Sequence, residues 1–244
     1  MTRLFVPDSI TAGSIHALPA EQARYLGKVL RMKTGDELAI FNGDCGEWCA
    51  RIVAFTRNSA TLEAIESRAV NVESPLQIWL VQGISRGDRM DTVVQKATEL
   101  GVTRITPVLT HRGTVKLDGS RREKRREHFQ AVANSACEQS GRTTPPQVDS
   151  PVSLNDWFGQ AEYPSARFVL DPRSESPLSA QAPPSNGTVC LLVGPEGGFS
   201  EREEGDAAVA GFSAVSLGPR VLRTETAAIA TMTAAQLLWG DFQS

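Results

Sequence analysis

The chain has 244 residues, 41% of them hydrophobic and 22% charged, with a net charge of −3. This is an ordinary globular composition rather than a disordered or fibrous one, and the length allows two domains or one large one. Met1 is followed by Thr2-Arg3-Leu4-Phe5 without a signal-type apolar segment, and no apolar run reaches a membrane span; a cytoplasmic location without a membrane partner is expected.

Residues 1–72 read as a small β-rich module. A helix is expected over Ala20 to Leu30, and strands over Glu37 to Asn42, Trp48 to Val53 and Thr61 to Glu66. Gly43-Asp44-Cys45-Gly46 is turn-like. Composition then changes, and residues 73–244 read as a second domain of alternating strands and helices. Strands are expected at Leu76 to Gln82, Ile105 to Leu109, Arg167 to Leu170, Val189 to Val193 and Ala214 to Leu217. Between them, Asp88 to Leu100 carries Met90, Val93, Val94, Ala97 and Leu100 on one helical face, with Asp88 as a capping residue and Gly101 as a stop. Glu123 to Ser140 is a long helix, Ser200-Glu201-Arg202-Glu203 reads as a capping box, and Thr226 to Trp239 closes the chain. The Ser- and Pro-rich stretch from Pro172 to Asn186 is a loop. Alternating strands and helices specify an α/β domain with a mostly parallel sheet. Periodicity alone favours an unknotted doubly wound sheet, since knots are very rare.

Charge is unevenly spread. Residues 86–142 carry 12 Lys/Arg against 7 Asp/Glu, a net +5, whereas residues 143–244 carry 5 against 12, a net −7. A basic middle suits a polyanion, although Arg121-Arg122-Glu123-Lys124-Arg125-Arg126-Glu127 mixes both signs and also suits a solvated helix face. The cysteines Cys45, Cys49, Cys137 and Cys190 form no zinc-ligand pattern, so reduced thiols and no metal are expected. Of the histidines His16, His111 and His128, only His111, after a strand end, is a candidate for substrate contact.

Two loops carry the chemistry. Gly194-Pro195-Glu196-Gly197-Gly198-Phe199-Ser200 follows one apolar strand, and Leu217-Gly218-Pro219-Arg220-Val221-Leu222-Arg223-Thr224-Glu225-Thr226-Ala227 follows another. Glycines at strand ends let the backbone approach a ligand. The first loop has no Lys-Ser/Thr after its glycines and contains Glu196, so a phosphate cradle is disfavoured and a ligand that is not strongly anionic fits better. Leu217, Val221 and Leu222 can wall a planar ring, while Thr224 or Thr226 can cap the last helix.

The two loops resemble the C-terminal signature of the SPOUT methyltransferases, and in wording the ribosomal small subunit methyltransferase E family. Gln95-Lys96-Ala97-Thr98-Glu99-Leu100-Gly101-Val102, Cys137-Glu138-Gln139-Ser140-Gly141-Arg142, Arg3-Leu4-Phe5 and Val29-Leu30-Arg31 extend the resemblance over nearly the whole chain. The chain departs from the family at Arg24-Tyr25, where His is frequent, at His111-Arg112-Gly113, and near Ser85.

The resemblance implies an α/β SPOUT domain over 73–244, with a parallel sheet and a C-terminal trefoil knot, and a PUA-like β-barrel RNA-binding domain over 1–72. It implies S-adenosylmethionine as cofactor, held by Leu170, Gly194, Pro195, Glu196, Gly197, Leu217, Gly218, Leu222, Thr226 and Ala227. It implies methylation of uridine N3 in 16S rRNA of the small ribosomal subunit by a homodimer. Candidates for the chemistry are Arg223, Glu138 and Arg142, and for RNA contact Arg3, Lys28, Arg31 and Arg112. Two alternatives stay open: methylation of another RNA position (ribose 2′-O or guanosine N1), and a non-catalytic RNA-binding assembly protein.

Overall fold

The computed structural model of the protein describes residues 1–244 apart from Cys45, Arg57, Lys116, Ala161, Ser244 and the side chain of Gln160. The Cys45–Cys49 spacing and the centre of the expected Gly43–Gly46 turn therefore lie outside the described residues. The chain divides into two units, Met1–Glu73 with Cys137–Pro145, and Ser74–Ala136 with Pro146–Ser244.

The first unit contains β1 (Arg3–Phe5), β2 (Ile15–Leu18), α1 (Ala20–Arg24), β3 (Glu37–Phe41), β4 (Glu47–Phe55) and β5 (Ala60–Arg68). The strands form one sheet in the order β1-β3-β4-β5-β2, parallel at β1/β3 and antiparallel elsewhere. Leu4, Leu26, Leu38, Ile40, Ala50, Ile52 and Leu62 fill its core. The helix expected over Ala20–Leu30 is α-helical only to Arg24; Tyr25–Val29 is a π turn.

Residues 137–145 join this unit, and no break in composition marks them. Glu73 is the reason: its carboxylate accepts from the Arg142 guanidinium at 2.8 Å and from the Thr143 and Thr144 amides at 3.1 Å each. Arg142 is only 4% exposed. Removing one partner of a buried ion pair strands the other charge, at a cost of about 3 kcal/mol. Glu73→Ala is therefore expected to lower unfolding free energy by about that amount in urea denaturation, whereas Glu66→Ala, at an exposed strand end, should change it little.

The second unit continues with β6 (Gln77–Gly83), α2 (Arg89–Glu99), β7 (Val102–Leu109), α3 (Gly119–Ser140), whose last four residues belong to the first unit, β8 (Gln147–Val148), β9 (Val152–Ser153), α4 (Leu154–Gln160), β10 (Ala166–Leu170), β11 (Thr188–Val193), α5 (Glu201–Val209), β12 (Ser213–Val215) and α6 (Thr224–Trp239). Its sheet runs β12-β10-β11-β6-β7-β8, with β9 also on β7, and every pairing is parallel. A parallel sheet is covered on both faces, so its central strands read as continuous apolar runs; β6 and β11 are such runs. Period-two alternation then sorts the β6 side chains. Ile78 and Leu80 join the cluster containing Met90, Val94 and Met232 from α2 and α6. Trp79 and Val81 join the cluster containing Trp157, Ala207 and Phe212, on the α4 and α5 side.

The elements expected from periodicity are present, with ends shifted by a few residues. Three local expectations fail. Asp88 flanks α2 but its side chain makes no cap bond. The last helix starts at Thr224, with Arg223 in the capping position, so neither Thr224 nor Thr226 is its cap. The loop at 172–186 holds a 3-10 turn, Leu178–Ala180. The Ser200 capping box is formed: Ser200 Oγ accepts from the Glu203 amide at 3.4 Å, and the Glu203 carboxylate accepts from the Ser200 amide at 2.8 Å.

Among the described residues no helix is long and apolar enough to cross a membrane. Cys49, Cys137 and Cys190 are free and buried. Burial pushes the Cys137 thiol up to about 12 and also raises Cys190, so both stay protonated and unreactive near neutral pH.

Candidate functional site

The strand order sets the C-terminal ends of β12, β10 and β11 side by side. The segments leaving them line one cleft of about 700 Å³: Leu170 to Arg173, Gly194 to Glu196, and Ser216 to Gly218. Ligands of parallel sheets collect at carboxyl strand ends, and this volume suits a small organic molecule. The start of α6, through Ala227, completes the wall.

One hydroxyl joins the two glycine loops. Thr224, in the first turn of α6, donates to the Gly194 carbonyl at 2.6 Å and accepts from Gln82 Nε2 at 3.0 Å. Gln82 is fully buried at the end of β6. Next to it, a Cβ on Gly83 would stand 2.5 Å from the Pro195 nitrogen, so only glycine permits that approach. Thr224→Val keeps the shape but removes both hydroxyl bonds, leaving Gln82 Nε2 only the Gly83 and Gly194 carbonyls at 3.1 and 3.4 Å. The expected loss is about 2 kcal/mol of unfolding free energy, with Thr224→Ser close to wild type; equal stability of the valine variant in urea would contradict this coupling.

The charged groups of the cleft are mostly tied. Glu196 pairs with Arg89 and accepts from the Arg86 amide at 3.4 Å. Burial pushes its carboxyl up, but hydrogen bonds from its own amide, Arg89 and Arg86 outweigh that and hold it below the usual range. Arg173 pairs with Asp171 at 2.9 Å and with Glu204 at 2.6 Å, and its hydrogen bonds hold the Asp171 carboxyl low. Glu225 also lines the cleft, with Oε2 buried and unpartnered. Arg220 and Arg223 are exposed on the lip, without an ion pair among the described residues. Two cations there can meet an incoming anion or a charge that develops during reaction.

The structure brings together Leu170, Gly194, Pro195, Glu196, Leu217, Gly218, Leu222, Ala227, Arg223 and Arg112 on this cleft. Gly197 is exposed and is not part of the lining itself, but a Cβ there would be 3.1 Å from Cβ of Arg112, which is part of it. Thr226 is exposed and lies outside the lining.

Glu138 and Arg142 belong to the first unit and have other work. Glu138 accepts from the Phe5 amide at 3.0 Å, and burial raises its carboxyl. Arg142 holds Glu73. Arg3 is engaged as well: it pairs with Glu47 at 3.0 Å, donates to the Cys137 and Arg142 carbonyls, and lies over the Phe41 ring. These contacts occupy the guanidinium expected to meet RNA. Lys28 and Arg31 remain exposed.

Sequence reasoning missed Thr224 as a link, together with Gln82, Arg89, Asp171 and Arg173. Asp171 was findable, because it follows the apolar strand Ala166–Leu170 as the glycine loops follow theirs. None of the three histidines lines the cleft; the exposed His111 donates its amide to Glu203 at 2.7 Å.

Residues 72–236 match a family model described as an RNA methyltransferase domain, and residues 18–65 one described as an RNA methyltransferase PUA domain. A ribosomal RNA small subunit methyltransferase E from Buchnera aphidicola is 32% identical, over 99% of this chain and 95% of that protein. Among solved structures, a ribosomal RNA small subunit methyltransferase E from Neisseria gonorrhoeae bound to S-adenosyl methionine superimposes with a TM-score of 0.90 at 39% identity, covering 99% of each chain. A Legionella pneumophila methyltransferase in complex with bound cofactor SAM gives 0.93 at 38% identity, again over 99% of each.

Proposed function

Because the chain belongs to the ribosomal RNA small subunit methyltransferase E family, we propose that it methylates N3 of one uridine in 16S rRNA of the small ribosomal subunit, with S-adenosylmethionine as methyl donor. The observation that carries this reading is the cleft where three neighbouring strand ends meet. Its residues fit the donor. Leu170, Leu217 and Leu222 offer apolar walls for an adenine, the glycine loops offer backbone groups to its edge, and Glu196 and Glu225 tolerate a cation.

Bound there, S-adenosylmethionine supplies a methyl group activated by a positive sulfur. The chain has to present an unpaired uracil, since pairing hides N3, and to help that nitrogen lose its proton. To Arg223, exposed on the lip of the cleft, we assign the stabilisation of negative charge developing on O2 or O4. Much of the remaining effect is positioning. Lys28 and Arg31 of the first unit, and Arg112 on the cleft, are the cations we assign to RNA phosphates. The first unit acts as a PUA-like RNA-binding domain. A trefoil knot around the cofactor loops, a homodimer and a cytoplasmic setting complete the reading.

Small ribosomal subunits lacking the modification, incubated with the protein and labelled donor and then digested to nucleosides, test it. N3-methyluridine in 16S rRNA is expected. A ribose-methylated nucleoside or N1-methylguanosine would move the target, and no affinity for the donor in calorimetry would leave an RNA-binding protein without this chemistry.

A further inference from the structure

The turn that follows α1 ends in a left-handed residue, closed by the Met32 amide on the Leu26 carbonyl at 3.0 Å, and it turns several side chains outward. The α-helix ends at Arg24 and widens into the π turn Tyr25–Val29, closed by the Leu30 amide on the Tyr25 carbonyl at 3.2 Å. Below it, Leu26 is fully buried and Gly27 lies against the Phe55 ring, where a Cβ would be 2.7 Å away. Above it, Tyr25 is 45% exposed, Val29 64% and Leu30 36%. Arg31 follows with φ +57°, the only positive φ outside glycine among the described residues. π turns and left-handed non-glycine residues are unfavourable, and they persist mostly where function needs the geometry. Here the result is an outward step of aromatic and apolar side chains.

The charge of the same segment says what it meets. Residues 24–33 contain Arg24, Lys28, Arg31 and Lys33 and no Asp or Glu, in a module whose other residues up to 72 carry 8 Asp/Glu against 4 Lys/Arg. Lys28 and Arg31 make no side-chain ion pair among the described residues. An exposed ring flanked by aliphatic side chains and unpaired cations has the parts of a single-strand nucleic-acid platform: a face for a base and charges for its phosphates.

We propose that this step binds an unpaired segment of the RNA substrate, with one base stacked on Tyr25 beside Val29 and Leu30, and its phosphates against Lys28 and Arg31. The inference rests on the reading of the protein as an RNA methyltransferase, and it adds that the first unit selects single-stranded RNA by stacking rather than gripping a duplex by charge alone.

Binding of the full-length protein to a single-stranded RNA dodecamer and to a duplex of the same length, followed by fluorescence anisotropy over a range of salt, tests this. Tyr25→Ala should weaken single-strand binding about tenfold, as for loss of one stacked base. Tyr25→Phe should bind like wild type, and duplex binding should be unchanged in both. Arg31→Gly should lower the slope of log affinity against log salt by about 0.7. Because glycine accepts the left-handed φ, its melting temperature should equal or exceed that of wild type. Wild-type affinity of Tyr25→Ala for the single strand, or a changed oligomeric mass of that variant in light scattering, would overturn the inference alone. Failure of the wild-type protein to bind either RNA would overturn it together with the reading it rests on.

Discussion

Gly218→Val is expected to reduce affinity for S-adenosylmethionine by about 100-fold or more while leaving the protein folded. Gly218 has φ +91°, a region in which a β-branched residue is strained by about 1–3 kcal/mol. A Cβ there would have no heavy atom within 4 Å, so nothing in the protein is displaced and the fold should survive. That open space is the cleft itself, since Gly218 lines it between Leu217 and the Arg220 to Arg223 segment. The valine side chain would occupy room the ligand needs, and relief of the strained backbone would carry Leu217 away from its position. Gly218→Ala carries the strain with little bulk and should lose about tenfold, which is about 1.4 kcal/mol. Titration calorimetry on both variants, alongside thermal melting, separates the two contributions. Binding by Gly218→Val at wild-type strength would remove the second loop from the cofactor site. Gly197→Val would bind poorly for a different reason, because its side chain would press on Arg112, a residue of the cleft, and shift the first loop against it.

Arg223→Ala is expected to slow methyl transfer by about 100-fold or more, as for loss of one group that stabilises charge in a transition state. Arg223 is exposed, sits on the cleft lip and has no competing carboxylate partner among the described residues. By contrast Arg89 and Arg173, also on the cleft, are committed to Glu196 and to Asp171 with Glu204. Arg220 is the other exposed arginine of the loop, so Arg220→Ala is the natural control. Single-turnover rates at saturating RNA and donor report the chemical step apart from binding. If Arg223→Ala reacts at the wild-type rate, the charge on the uracil must be met by other residues or by positioning alone. Glu138→Gln is expected to react at close to the wild-type rate, because Glu138 belongs to the first unit and is engaged there; a loss of about 100-fold would return it to the chemistry. Its carboxylate already accepts from the Phe5 amide, and glutamine keeps an acceptor there, so the fold should be retained.

The Ser200-Glu201-Arg202-Glu203 box, the apolar runs of β6 and β11, and the amphipathic face of α2 were legible because each is a local pattern read over one element. The glycine loops were legible as loops that follow apolar strands for the same reason, and residues of both line one cleft. Four residues show where local reading stops. Thr224 looked like a helix cap because its type suits one, yet its hydroxyl reaches Gly194 and Gln82, which are 30 and 142 positions away in sequence. Glu138 and Arg142 looked catalytic because packing alone did not explain their charge; Phe5 and Glu73 explain it, at separations of 133 and 69. Arg3 looked available to RNA until Glu47 and two carbonyls of the 137–145 segment took its guanidinium.

The sequence by itself determined the alternation of strands and helices, the two loops that follow apolar strands, and the basic middle at 86–142, because periodicity, backbone freedom and charge are properties of neighbouring residues. Only the tertiary structure decided that β10 lies between β12 and β11, so that three strand ends share one cleft, and which charged side chains are spent on internal partners. Strand order and ion-pair choice depend on which distant segments win a place in the fold, and a polar side chain is free for function only if no such segment satisfies it first.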